Sequence, residues 1–146
     1  YAKQPFAKGA KVIEYVGKLI PVKDSDAIAE KQMRRAGKSG TGHVYLFSLN
    51  ARYDIDGNVP WNTARLINHS CDPNCEVYII KGHIWILAKR AIAAGEELTY
   101  DYGFNMANWR EHICRCGTSK CLGYIVSASR RGALARVLKN IGKPQT

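Results

Sequence analysis

Cys114, Cys116 and Cys121 in "CRCGTSKC" fall within eight residues, and no other feature of this 146-residue chain restricts its fold as strongly. The two thiols of a C-x-C pair do not readily close an unstrained disulfide with each other, yet both can face one ion. Gly117 lets the backbone turn so that Cys121 reaches the same ion. A closed structural zinc site takes four thiolate or imidazole ligands in a tetrahedron. Three are local, so the fourth comes from Cys71, Cys75 or a histidine. His112, in "HICRC", is the nearby candidate; Cys71, in "RLINHSCDPNC", is the distant one. The plainer alternative is a set of unrelated buried thiols packed as small hydrophobes. An odd total of five cysteines, and an opening "YAKQPFAKGAK" that does not read as an export signal, favour metal ligation in a reducing, intracellular setting.

The length suits one domain, able to bury about two-thirds of its unfolded surface. Apolar runs such as "IWILA" stop well short of the roughly 20 residues needed to span a membrane. "KVIEYVG", "HVYLFSLN" and "RYDID" read as strands, and "DSDAIAEKQMRRAG" as a helix running into a flexible loop, "GKSGTG". "WNTARLI" reads as one helical turn, and Asp72-Pro73-Asn74 as a tight turn. "EVYII" and "HIWILAKR", joined by Lys81-Gly82, read as a hairpin, with "ELTYDY" as a further strand. Many short strands and little helix predict a β-rich fold of small sheets whose modest core a metal clip would help to hold. The net charge is +10, and from Ser127 onward Arg130, Arg131, Arg136, Lys139 and Lys143 meet no acid in sequence. Such a helical, basic ending suits nucleic acid or another polyanion through counterion release, or is simply a solvated face.

Taken together, "ARLINHSCDPNC", "AGEELTYDYGF" and "CRCGTSKCLGY" resemble the core motifs and post-SET zinc segment of SET-domain protein lysine methyltransferases. "KGAKVIEYVGKLI" and "HVYLFSLNARYDIDGN" resemble the earlier strands of that fold, so the likeness covers residues 1 to about 125. It implies a mostly β, β-clip-like fold of small curved sheets, with a pseudoknot in which "ELTYDY" threads the "NHSC" loop. The implied divisions are a SET domain over 1–106, a post-SET segment over 107–125 and a basic tail over 126–146. Family members usually carry a glycine-rich stretch before an aromatic-Ala pair; the sequence opens on such a pair, "YA", so that stretch either precedes residue 1 or is lacking.

The resemblance further implies S-adenosylmethionine as methyl donor, a lysine as acceptor, and one structural Zn2+ held by Cys71, Cys114, Cys116 and Cys121. Cys75 is then spare and His112 a bystander. Asn68 and His69 would hold the cofactor by backbone and side-chain hydrogen bonds, with Tyr45 and Leu122 lining its pocket. Tyr102 would be the central tyrosine at the transfer point, touching cofactor and amine. Tyr15 would line the amine pocket, and Arg65 would brace the knot. Tyr100 would occupy space that further methyl groups need, which predicts chiefly monomethylation.

The implied substrate is a histone or another chromatin or DNA-packaging protein. A +10 enzyme repels a basic tail, so either the C-terminal cations reach DNA or a local acidic groove receives the substrate. Nucleus and chromatin are expected in a eukaryote, cytoplasm or nucleoid in a bacterium, with no membrane partner. A reading from another class is a catalytically silent SET-like zinc module that binds nucleic acid or protein. The missing glycine stretch favours it, and the intact "NHS" and "YDY" segments oppose it. A zinc ribbon of unrelated function leaves the tyrosines unexplained.

Overall fold

β-Branched and aromatic residues at alternating positions fit a half-buried pleated surface, and the chain uses them in short strands. The computed structural model describes residues 1–39 and 44–142, the side chains of 36–39 excepted. β1 (Lys11–Tyr15) and β2 (Lys18–Pro21) lead into α1 (Val22–Ser39), followed by β3 (Leu46–Ser48) and β4 (Tyr53–Asp56). A 3-10 turn, Thr63–Leu66, precedes β5 (Asn68–His69), β6 (Cys75–Ile80), β7 (His83–Ala88) and β8 (Thr99–Tyr100). A last 3-10 turn, Ala128–Arg130, opens into α2 (Arg131–Ile141).

These strands form two three-stranded sheets, ordered β1-β7-β6 and β2-β4-β3, and one two-stranded parallel pair, β5-β8. In the first, β1 and β7 run antiparallel with Tyr15 opposite Ile84. The β6–β7 connection puts Lys81 at φ 50° and Gly82 at φ 79°. Two successive positive φ angles suit the right-handed twist of a tight hairpin, and glycine takes the second at no steric cost. In the second sheet, Lys18 opposes Asp56 on one side of β4 while Leu46 opposes it on the other.

By contacts the chain divides into two units, each described by itself. A sheet unit comprises Ala10–Ile67 and Val77–Leu87; a cysteine unit comprises Tyr1–Gly9, Asn68–Glu76 and Ala88–Thr146. In the sheet unit Tyr15, Val59, Ala64, Ile84 and Ile86 are buried. α1 is fastened to β4 by polar side chains: Ser25 Oγ donates to Asp54 Oδ2 at 2.5 Å, and Gln32 Nε2 to Asp56 Oδ1 at 2.9 Å. Both Ser25 and Gln32 are buried, so these bonds satisfy groups that would otherwise be costly to desolvate. In the cysteine unit Trp109, Val126 and Leu134 form an apolar cluster, joined by Met106, Leu122, Tyr124, Val137 and Leu138.

Four boundaries differ from expectation. α1 runs through Gly37 to Ser39, into the segment read as a loop; the remainder of that loop and His43 lie outside the described residues. "HVYLFSLN" contributes only Leu46–Ser48 to a ladder, and "ELTYDY" only Thr99–Tyr100. Asn68–His69, inside a stretch dominated by turn formers, is a strand, because Thr99 and Tyr100 supply a parallel partner from a distant part of the chain. The helix over the basic ending is present, and Lys143 lies outside the described residues.

Candidate active site and metal centre

The parallel register sets Asn68 beside Thr99 and His69 beside Tyr100, which brings "NHSC" alongside "TYDY", as the expected knot requires. Ser70 N–H donates to the Tyr100 carbonyl at 3.2 Å. Asn74 clamps the far end of the loop. Its Nδ2 donates to the Glu97 carbonyl at 2.7 Å and to Glu96 Oε1 at 3.1 Å, while its Oδ1 accepts from Thr99 N–H at 2.9 Å. Asn74 is therefore more than a turn former: it is a buried side chain replacing a stretch of missing ladder. Asn68 remains exposed, with its amide donating to Glu97 Oε1 at 2.8 Å.

His69 is buried at the centre of this junction. Its Nδ1 accepts the Tyr102 backbone N–H at 3.2 Å, which leaves the proton on Nε2, 3.5 Å from Cys71 Sγ. Burial lowers its basicity and the nearby Arg131 lowers it further, against an opposing pull from Asp101. Aromatic rings continue outward from it. The Tyr102 ring lies 5.3 Å from His69, 4.9 Å from Tyr100 and 5.8 Å from Phe104, and Phe104 lies 4.7 Å from His112. Tyr100 is buried and Tyr102 half-buried. Edge and tilted contacts of this kind fix ring orientation without adding charge.

The sulfurs of Cys71, Cys114, Cys116 and Cys121 all lie within 4.8 Å of one another, with Cys71 and Cys114 separated by 3.8 Å. Four sulfurs bound at about 2.3 Å to one tetrahedral ion stand roughly 3.8 Å apart, the separation of the Cys71–Cys114 pair, so the four donors could close on a metal with shifts of about 1 Å or less. All five cysteines are free thiols. The local chemistry favours ionisation at one corner. Burial opposes it at Cys116, but the Thr118 hydroxyl and the backbone N–H groups of Cys71 and Thr118 outweigh burial and bring that thiol down to about 6. Burial instead pushes Cys114 up to about 11 and raises Cys71 further. Of the candidates for the fourth ligand, Cys71 converges on the other three. His112 meets the Phe104 ring edge-on instead, and Cys75 is fully buried at the start of β6, its thiol pushed up to about 11 by burial.

Leu122, next to Cys121, is half-buried against the Trp109 cluster. In the sheet unit, Tyr15 and Tyr45 share a node. The Tyr15 hydroxyl donates to the Tyr45 carbonyl at 2.8 Å, and the same carbonyl accepts Gly57 N–H at 2.8 Å. A Cβ at position 57 would sit 2.4 Å from the Tyr15 hydroxyl oxygen, so only glycine leaves the ring its place. Buried Asn62 supports both neighbours, donating to the Gly57 carbonyl at 3.1 Å and accepting Val16 N–H at 3.4 Å. The Arg65 guanidinium stacks over the Tyr45 ring at 5.4 Å, and its Nε is buried without a hydrogen-bond partner among the described residues. Sequence reasoning passes over Asn62, Asn74, Asp101 and Phe104, whose types are common in turns and cores; their signal is spatial.

A family model described as "SET domain" matches residues 1–103. The chain is 40% identical over 134 residues to "Histone-lysine N-methyltransferase ash1" of Drosophila melanogaster, covering 88% of this chain and 6% of that protein. It is 41% identical over 131 residues to "Histone-lysine N-methyltransferase, H3 lysine-4 specific" of Saccharomyces cerevisiae, covering 86% of this chain and 12% of that one. A Yarrowia lipolytica protein of the same description is 41% identical over 130 residues, covering 86% and 11%. The chain thus spans a small part of the length of the curated relatives it matches. With the model matched over most of its length, the chain belongs to the SET-domain family.

Proposed function

We propose that the chain transfers a methyl group from S-adenosylmethionine to the side-chain amine of a lysine in a histone or similar chromatin protein. The observation that carries this reading is the junction of Tyr100, Tyr102 and the Asn68–Cys71 loop, in a chain whose relatives are named histone-lysine N-methyltransferases. S-adenosylmethionine supplies a methyl on a positively charged sulfur, open to in-line attack. The protein's work is to orient, desolvate and neutralise the amine. A free lysine has a pKa of about 10.4, so deprotonating it at pH 7 costs roughly 4–5 kcal/mol. An apolar, uncharged pocket reduces that cost by disfavouring the ammonium.

Tyr102, half-buried and fixed at its own N–H by His69, takes the role of tyrosine at the transfer point. Its hydroxyl can bond an amine without adding the negative charge that would keep it protonated. Tyr15 lines the amine pocket through its ring, since its hydroxyl is engaged by Tyr45. Asn68 and His69 hold the cofactor chiefly through their backbone, because both ring nitrogens of His69 already have neighbours. Tyr45 and Leu122 would each contact the cofactor. The unpartnered Nε of Arg65 beside Tyr45 fits a ligand rich in acceptors, such as one bearing a carboxylate. Zinc suits the thiolate set, with Cys71, Cys114, Cys116 and Cys121 as ligands. Residues 1–106 form the SET domain and 107–125 the zinc segment. Arg130, Arg136 and Lys139 are exposed on the C-terminal helix and its entry and would contact DNA, bringing a +10 protein to nuclear chromatin.

Labelled S-adenosylmethionine with mixed core histones tests this directly. Wild type transfers label, and Tyr102→Phe lowers kcat by about 100-fold or more, the usual worth of a positioned proton-handling group. Absence of transfer by wild type with its metal bound would make the domain a silent binding module. Tyr100, buried 4.9 Å from the Tyr102 ring, limits the product to chiefly monomethyl-lysine. Mass spectrometry of the Tyr100→Phe product should show more di- and trimethylation; an unchanged distribution would sink that assignment.

A further inference from the structure

The basic ending spends one of its cations inside the protein. Arg131, first residue of α2, has a side chain only 14% exposed. Its Nη1 donates to the carbonyl oxygen of Cys71, and its Nη2 lies 3.4 Å from Asp101 Oδ2. Asp101 stands between Tyr100 and Tyr102, and its carboxylate has two further bonds. Oδ1 accepts Gly103 N–H at 2.9 Å, and Oδ2 accepts Ala128 N–H at 2.8 Å. One carboxylate therefore fixes the backbone just after Tyr102 and the chain entering α2, and Arg131 ties that carboxylate to the loop bearing His69 and Cys71. The helix is held in register for this by Leu134, which is fully buried, with Val137 and Leu138 packed beside it.

The arrangement uses what distinguishes arginine from lysine. A planar fork reaches two acceptors in fixed geometry, whereas an ammonium is a single point charge on a flexible stem. The two acceptors belong to the segments that pair through β5 and β8, one carrying His69 and the other Tyr102.

We propose that Arg131 is a positioning residue for methyl transfer: by bridging the Cys71 carbonyl to Asp101, it sets the Tyr100–Tyr102 segment against the cofactor loop. The proposal makes α2 part of the catalytic apparatus without contact to either substrate. It rests on the methyltransferase reading above. Misplacing reacting groups by about 1 Å can cost up to about 100-fold in rate. Loss of the bridge should therefore lower kcat about tenfold while leaving affinity for the donor within about twofold.

The experiment compares wild type, Arg131→Met, Arg131→Lys and a control, Lys31→Met, on the exposed face of α1. Each is assayed with labelled S-adenosylmethionine and core histones. Bound zinc is counted by chelator release, S-adenosylhomocysteine binding is measured by calorimetry, and products are resolved by mass spectrometry. Expected is a kcat loss in Arg131→Met with about one zinc per chain retained, near-wild-type S-adenosylhomocysteine affinity and an altered ratio of mono- to dimethyl product. Arg131→Lys should recover part of the rate, and the control all of it. Wild-type kcat and product ratio in Arg131→Met would overturn the proposal, as would a loss fully explained by zinc release. Should Arg131→Met not fold, Arg131→Lys decides: a reduced kcat at wild-type melting temperature supports the bridge, and full activity overturns it. Failure of wild type itself to transfer label sinks the activity reading instead, and is distinguished by the first assay.

Discussion

The two units are held together by different means. In the sheet unit backbone ladders carry the structure, between strands close in sequence, such as β3 and β4, and between remote ones, such as β1 and β7. In the cysteine unit the ladders shrink to the two-residue β5–β8 pair, and side chains from remote positions take over. Cys71 meets Cys114 across 43 positions, and Arg131 reaches Cys71 across 60. Backbone ladders are generic and tolerate surface change, whereas a side-chain network depends on each member being present. Removing one ligand or one amide should therefore damage the second unit out of proportion to its size.

The sharpest way to break this contrast is to take away the metal. Chelation should strip hydrogen-exchange protection from residues around Cys71 and Cys114–Cys121, since metal capture by structural thiolate sites is worth on the order of 10 kcal/mol. Amides of β1 and β7 should stay protected; equal loss in both units would erase the distinction. Next in size is Gly57→Ala, which acts on the sheet unit alone. The added methyl meets the Tyr15 ring at 2.5 Å, and overpacking of that kind costs about 1–3 kcal/mol. Thermal melting should fall while metal content is unchanged; a neutral effect would mean the ring moves freely. The mildest is Asn74→Ala, which orphans the Thr99 N–H and the Glu97 carbonyl at the loop's far end. A cost of about 1–2 kcal/mol is expected from the lost bonds, with S-adenosylhomocysteine affinity weakened as the loop loosens. Unaltered affinity and stability would show that the β5–β8 ladder suffices.

Spacing alone identifies three of the four converging sulfurs, because a C-x-C followed closely by a third cysteine limits where they point. The fourth comes from the likeness of whole motifs, since His112, Cys71 and Cys75 are equivalent to spacing rules. The hairpin at Lys81-Gly82 and the short helical turn before Ile67 are legible because their signals are local. The β5 strand is not, because its two residues take their geometry from Thr99 and Tyr100. Arg131 is illegible for the same reason. It sits in a run with no acid, and its partner lies 30 positions earlier, between two tyrosines that draw attention to themselves. The extension of α1 through Gly37 runs against propensity, as glycine is about 1 kcal/mol worse than alanine in a helix.

The separation of Cys71 from its fellow ligands also sets an order of events during synthesis. A ribosome adding about 5–20 residues per second delivers Cys114 roughly 2–9 s after Cys71, given the 43 positions between them. Through that interval Cys71 is a nascent thiol with Cys75 only four positions away, and no metal site yet exists to claim it. The centre can close only after Cys121 has emerged, so it is among the last features of the domain to form. Metal capture there depends on a reducing environment at that moment, and a pulse-labelled chain should become protease-resistant around Cys114–Cys121 only after Cys121 has emerged.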